Sequence, residues 1–280
     1  MEKRLFILLS ILWIVVLGTA AQSPDRNYIK TTTYLDTAGT SSLTTVQYYD
    51  GLGRPIQTVQ QNVGPVNNNQ DLISLQEYDR FGRDSITWLP VPIAGNNGAY
   101  KDPASLKTIA QSSSVYNDTK PYSEPVYEPS PLNRVVQQYG PGQAWRTDGG
   151  HPVKTDYLTN SASDCKYYYM SGDVLTDGGY YAASTLYVTK TTDEDNKTSY
   201  EFKDKLGRVV LQRQMDGTDK VDTYYVYDDF GNLRWVLPPM VGEMSNLYQG
   251  CSYYGYYYKY DERNRCIIKQ LPGTVSNYYV

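Results

Sequence analysis

Beyond its first 21 residues, the chain is a succession of short stretches in which apolar or aromatic positions alternate with polar ones, each closed by Asp, Gly or Asn. Period-2 alternation bounded by turn formers predicts β-strands. One arrangement recurs: an aromatic residue, Asp, two residues, Gly, Arg or Asn, then an alternating apolar run. It is read as YYDGLGRPIQTVQ in 48–60, EYDRFGRDSITWLP in 77–90, FKDKLGRVVLQRQ in 202–214, YVYDDFGNLRWVLPP in 225–239 and YKYDERNRCIIKQLPG in 258–273. A looser copy, YEPSPLNRVVQQYGPG in 127–142, keeps the aromatic residue and the Leu-Asn-Arg ending. In the third clean copy Lys203 reads as an insertion between the aromatic residue and Asp204.

The aspartates of the clean copies are Asp50, Asp79, Asp204, Asp228 and Asp261, at intervals of 29, 125, 24 and 33 residues. Asp opening a type I turn can accept from backbone amides two residues on, and Gly at the fourth position accepts positive φ. Each copy is therefore read as two strands and a tight turn followed by a bulge. In the last copy Asn264 stands for the glycine, and Asn also enters left-handed conformations. A lone hairpin is marginal in water, so the units must stack and bury a shared face.

Between the clean copies the pattern changes. Asp102–Ser113 offers Asp102 as a cap, Pro103 at the first helical position, and Leu106, Ile109 and Ala110 at helical spacing, which predicts a helix. A second, shorter helix is expected from Glu243. Residues 121–152 are rich in Pro and Gly and read as loops. Residues 155–192 read as short aromatic strands between glycine turns, and the run after them as a hairpin turning at Asp195 and Asn196.

The start of the chain is of another kind. A basic MEKR, the uncharged run Leu5–Gly18 and small residues 19–21 describe a signal peptide cleaved after Ala21. The run is too short for a membrane span. A soluble or surface-associated protein in the periplasm, on the outer surface or outside the cell is expected, with residues 22–44 as an extended lead-in to a repeat region at 45–280.

Composition sharpens the picture. There are 30 Tyr against 4 Phe and 4 Trp, and Tyr suits half-buried strand surfaces where its hydroxyl stays wet. The net charge of −4 lacks the clustered positive charge that would neutralise phosphates, so no nucleic-acid partner is expected. Cys165, Cys251 and Cys266 allow at most one intramolecular disulfide. Cys251 and Cys266 are the closest pair, and three small buried hydrophobes are the alternative.

The series YDGLGRP, YDRFGR, FKDKLGRVV, YDDFGN and YDERNR resembles the YD repeats of Rhs proteins, whose relatives include shell subunits of insecticidal toxin complexes and the teneurins. The order of motifs from about Thr45 to Gly273 is most similar to the uncharacterised N-terminal domain of exported Rhs-type proteins. The resemblance implies a mainly β fold in which stacked hairpins form a shell around a C-terminal effector. Here only six copies are present, without an effector or the self-cleaving core motif of many relatives. It therefore implies an incomplete shell, an open twisted sheet with one or two short helices, from a truncated frame or one piece of a split gene.

Little chemistry competes with that reading. Asp193, Glu194 and Asp195 form the densest acidic cluster, yet lack the glycine and distal Glu of an EF-hand loop, and a solvated turn is favoured. His151 stands alone in DGGHPV, which makes neither a triad nor a zinc site. No nucleophile elbow, zinc-protease, P-loop or dinucleotide motif appears. No catalytic, metal or cofactor residue is therefore assigned and no enzyme is expected. The expected partner is a further YD-repeat or effector polypeptide, in cis or in trans. Trp88, Trp145 and Trp235 with the tyrosines leave a glycan- or protein-binding surface module as the second reading, although the matched places of Trp88 and Trp235 favour packing. A glycoside hydrolase with carboxylates distant in sequence is the third.

Overall fold

The computed structural model describes residues 23, 25–64, 70–112, 114–146, 150–244, 246–273 and 278–279. The expected signal peptide lies outside them. The chain is mainly β, in antiparallel sheets that do not close, with few short helices. It divides into two compact units, Met1–Tyr127 with Gln138–Gly150, and Glu128–Gln137 with His151–Val280.

In the first unit β1 (Asn27–Tyr34) pairs with β2 (Ser42–Tyr49), so the expected lead-in contributes a strand. The sheet continues through β3 (Pro55–Gln60) to β4 (Gln70–Tyr78). The first half of β4 then pairs with β6 (Val91–Ala94) and its last residues with β5 (Asp84–Trp88). β5 in turn pairs with β7 (Tyr122–Tyr127). Alternation sends Val46, Tyr48, Val59, Ile73 and Leu75 inward, where they meet Leu106 and Ala110 of helix α1. α1 (Pro103–Gln111) starts as its sequence predicts: the Asp102 carboxylate accepts from the Ser105 amide, and Pro103 fills a position that needs no donor. The buried Gln57 amide exchanges two hydrogen bonds with the Lys101 backbone (2.8 and 2.9 Å), which fixes the approach to the helix.

The second unit is a meander in which every neighbour is antiparallel. β9 (Val153–Thr159) pairs with β12 (Tyr187–Thr192), which leads through β13 (Thr198–Lys203), β14 (Val209–Asp216), β15 (Asp219–Tyr227), β16 (Leu233–Leu237), β17 (Tyr256–Tyr260) and β18 (Cys266–Gln270) to β19 (Tyr278–Tyr279). A separate hairpin, β10 (Lys166–Ser171) with β11 (Val174–Tyr180), packs on it, the ring of Tyr168 lying edge-on to Tyr224 at 5.2 Å. Phe202, Val210, Leu211, Val188 and Leu186 form one core around Cys165, and Val226, Leu237 and Val241 another around Cys251.

Three local expectations need correction. Strands form in the Pro- and Gly-rich stretch read as loops: β7, and β8 (Val135–Tyr139), whose residues divide between the units. Pro125 in β7 lies outside the positions paired with β5, which are Tyr122 and Ser123. The second helical region is two helices, α2 (Pro239–Glu243) and α3 (Leu247–Tyr254), and Glu243 ends the first. The break follows the Asn246 side chain, which accepts from the amides of Tyr248 and Gln249 and so starts α3. Finally, Lys203 is no insertion. The hairpins of Asp50, Asp79, Asp204, Asp228 and Asp261 carry a register shift at the residue before the aspartate, and Lys203 takes the place held elsewhere by Tyr49, Tyr78, Tyr227 and Tyr260.

All three cysteines are free. Burial pushes the thiols of Cys165 and Cys251 up to about 12, as for buried hydrophobic packing residues.

Candidate functional site

The repeated turn concentrates the polar chemistry of the chain. At Asp50, Asp79, Asp204, Asp228 and Asp261, carboxylate Oδ1 accepts the backbone amides of the second and fourth residues on, at 2.8–3.1 Å. The Asp carbonyl accepts from the residue at the glycine place, and the Asp amide donates to the carbonyl at the arginine place. Gly207 illustrates why glycine is needed there, with φ +80°. Oδ2 then accepts from the arginine four residues on, with Nε at 2.7–2.8 Å in the turns of Arg54, Arg83, Arg208 and Arg265. These amide and guanidinium bonds stabilise the ionised form, and Asp50, Asp79 and Asp261 all lie below the ordinary Asp range. For Asp50 the Arg54 amide contributes most, for Asp261 the Arg265 guanidinium, and for Asp79 hydrogen bonds outweigh the opposing effect of burial.

The arginine has a second duty, to the following strand. Arg54 lies 4.4 Å over the ring of Tyr78, Arg83 4.1 Å over Tyr127, and Arg208 5.1 Å over Tyr227. Each of these tyrosines donates its hydroxyl hydrogen to the carbonyl just after the arginine: Tyr78 to Pro55 (2.7 Å), Tyr127 to Asp84 (2.9 Å) and Tyr227 to Val209 (3.0 Å). Carboxylate, guanidinium and phenol thus form one chain that fastens each of these three turns to the next hairpin. Solvent-facing cation–π contacts and ion pairs of this kind contribute up to about 1 kcal/mol each.

The loose copy proves complete. Glu128 takes the aspartate's part across a longer turn, binding Arg134 through Nε and Nη2 at 2.8 and 2.7 Å, while Ser130 donates to the same carboxylate. The Arg134 guanidinium, then the Ser130 hydroxyl, hold Glu128 down at about 2. Arg134 lies 4.4 Å over Tyr157, whose hydroxyl donates to Val135. Glu128 escapes the sequence pattern because its turn departs from the fixed Asp-to-Arg spacing, a longer side chain compensating for two extra residues. The hairpin turning at Asp195 and Asn196 is a further relative: Asp193 accepts from the amides of Asp195 and Lys197, and Asn196 takes φ 64°. This commits Asp193 to its own backbone. Among the described residues no group of three or more His, Cys, Asp or Glu is placed to hold a metal ion. His151 is an exposed loop residue.

Trp88 and Trp235 occupy matching places, each tilted at 4.8 Å against the tyrosine opposite, Tyr122 and Tyr257. Trp88 is buried and donates to Glu77, which also binds Lys107 of α1. Trp235 instead borders a cleft of about 580 Å³ together with Leu175, Leu247, Tyr248 and Tyr257. Trp145 is exposed. At the turn tips Leu52, Phe81, Leu206 and Phe230 are also exposed, although a hydrophobicity pattern alone would send them inward.

Two buried arginines, unforeseen in the sequence, bolt the β10–β11 hairpin to the meander. Arg213 joins Asp164 to Asp222, and Arg234 donates to Asp173 at the hairpin tip (2.7 Å) and to the Tyr258 carbonyl (3.0 Å). Lys259 also reaches Asp173, at 2.7 Å. The two cations, then the opposing cost of burial, leave Asp173 below its ordinary range. The available signal was Arg213 at an inward position of an alternating run.

Comparison with known proteins agrees with this architecture. The chain is similar to a chain in the structure of the Photorhabdus luminescens Tc holotoxin pore, with a TM-score of 0.50 and 14% identity. The likeness covers 87% of this chain and 11% of that one, so the present chain spans about a ninth of its solved relative. No curated protein matches. Residues 20–159, half of the chain, match the model of the family described as Domain of unknown function (DUF6443), and the chain belongs to that family.

Proposed function

We propose that the chain is a non-enzymatic, exported structural module of an Rhs-type system, and that its hairpins extend a β scaffold by joining a further YD-repeat or effector polypeptide in cis or in trans. The observation that carries this reading is the repeated fastening of one turn's arginine to the tyrosine of the next hairpin. The same constellation recurs in both units, as scaffold chemistry does, whereas catalysis needs one unique arrangement. Its carboxylates are engaged by backbone amides and guanidinium groups. At the Asp261 hairpin, Arg265 is bound to Asp261 with its side chain 69% exposed, against 32% for Arg54, 20% for Arg83 and 31% for Arg208. That surface suits the tyrosine of one more repeat.

Photo-crosslinking in the producing cell tests this. With a benzophenone amino acid at the exposed Arg263 position, adducts should contain peptides with Tyr-Asp-x-x-Gly-Arg repeats or an effector attached to them. Adducts lacking such sequences, or no adduct, would contradict the proposal. The aromatic cleft beside Trp235 favours a second reading, a glycan- or protein-binding surface module. Glycan-array binding abolished by Trp235→Ala, with folding retained, would support that reading instead.

A further inference from the structure

We propose that the cleft between the last two turns is a binding site for a guanidinium group, and that its ligand is an arginine side chain of a partner polypeptide. Four times a guanidinium lies between a turn carboxylate and the ring of the following tyrosine: Arg54, Arg83, Arg134 and Arg208. At the fifth place the carboxylate and the tyrosine are kept and the arginine is not. The turn of Asp228 is formed as in the others, its amide donating to the Asn232 carbonyl at 3.0 Å. Trp235 faces Tyr257 across β16 and β17, so the same register brings Tyr260 opposite Asn232, as Tyr227 stands opposite Arg208. The shorter Asn232 leaves a cleft of about 360 Å³, lined by Asp228, Phe230, Asn232, Tyr260 and Glu262 among others.

The lining suits a planar cation. Asn232 Nδ2 reaches the Asp228 carboxylate only at 3.4 Å and turns its better bond, 3.0 Å, to Asn264. Arg234 also borders the cleft, but its nearest nitrogen stands 3.7 Å from Asp228, and its other donors serve Asp173, Tyr257 and the Tyr258 carbonyl. Asp228 therefore retains acceptor capacity toward the cleft. The exposed Glu262 adds negative charge, and Tyr260 supplies a ring face. A guanidinium matches both partners, forking onto a carboxylate while stacking on an aromatic face, which a compact ammonium does less well. Phe230, 83% exposed, offers the stem of an entering side chain an apolar rest.

The test is NMR titration of the full mature protein with the peptide amide acetyl-Gly-Arg-Gly, its citrulline analogue and free arginine. The arginine peptide should shift the signals of Asn232 and Tyr260 with a dissociation constant on the order of millimolar. The uncharged citrulline peptide and free arginine should bind at least about tenfold more weakly. Asn232→Arg supplies the guanidinium from within; it should abolish peptide binding and raise the unfolding midpoint by roughly 2–4 °C, which also shows that the variant folds. Equal binding of arginine and citrulline peptides, undiminished binding to Asn232→Arg, or no shift at about 10 mM peptide would overturn the proposal. Binding of free arginine as tight as the peptide would overturn the polypeptide as its source.

Discussion

Replacing Arg213 with methionine should destabilise the protein by about 3–5 kcal/mol, the cost of breaking a buried charge network by removing one partner. Arg213 is 4% exposed. Its Nε and Nη2 bind the two oxygens of Asp222 at 2.7 and 2.8 Å, Nη1 binds the Asp164 carboxylate at 2.7 Å, and Nη2 also binds the Asp164 carbonyl at 2.9 Å. The ring of Phe202 lies 5.4 Å beneath the guanidinium. Methionine keeps the apolar stem but removes the guanidinium between the two carboxylates, leaving Asp164 only the exposed Lys220 at 4.0 Å. Because Asp164 precedes the β10–β11 hairpin and Asp222 belongs to β15, the same change releases the base of that hairpin. Denaturant unfolding measures the loss. Combining Arg213→Met with Asp222→Leu should restore much of it, since an apolar replacement of a buried ion pair is often neutral. A loss below about 1 kcal/mol for the single change would show that this network does not hold the hairpin.

In the first unit the largest effect is expected at Tyr48. Its side chain is fully buried, with Tyr28 at 5.7 Å and Tyr100 at 5.3 Å, and its hydroxyl donates to the Gly98 carbonyl at 2.7 Å. Tyr48→Ala removes a ring that no neighbour can replace and should cost about 3–5 kcal/mol. Tyr48→Phe keeps the packing and removes the buried hydrogen bond to Gly98 together with the long one (3.5 Å) accepted from the Ser23 amide, for about 1–2 kcal/mol. The gap between the variants, read from denaturant midpoints, separates ring from hydroxyl. Equal effects would mean that packing contributes little here.

The contrast between Tyr48 and Tyr78 shows how far the sequence is legible. Both belong to the same repeated pattern, and turn chemistry with period-2 alternation was enough to read the hairpins and their stacking. Which tyrosine fills a core and which lies under an arginine depends on the bulge before each aspartate, and that bulge shows only when strands are paired. Asp102 and Pro103 announced α1 because a cap acts through neighbours in sequence. Arg213 could not be assigned its partners that way, since Asp164 and Asp222 lie in different elements. Glu128 was hidden for a different reason: side-chain length compensated for turn length, so the function persisted while the spacing did not. The Asn232 cleft is also a departure from the repeat, and it becomes meaningful only beside its filled counterparts.

The repeat's Asp, Arg and Tyr serve to fasten hairpins together. A double-mutant cycle on Arg54 and Tyr78 tests this most directly, using Arg54→Met, Tyr78→Leu and the pair, each unfolded in denaturant. The guanidinium stands 4.4 Å over the ring, and the phenol bonds the carbonyl of the adjoining Pro55. A coupling energy of about 1 kcal/mol is expected between these two residues on successive hairpins. Effects that add within about 0.3 kcal/mol would contradict it.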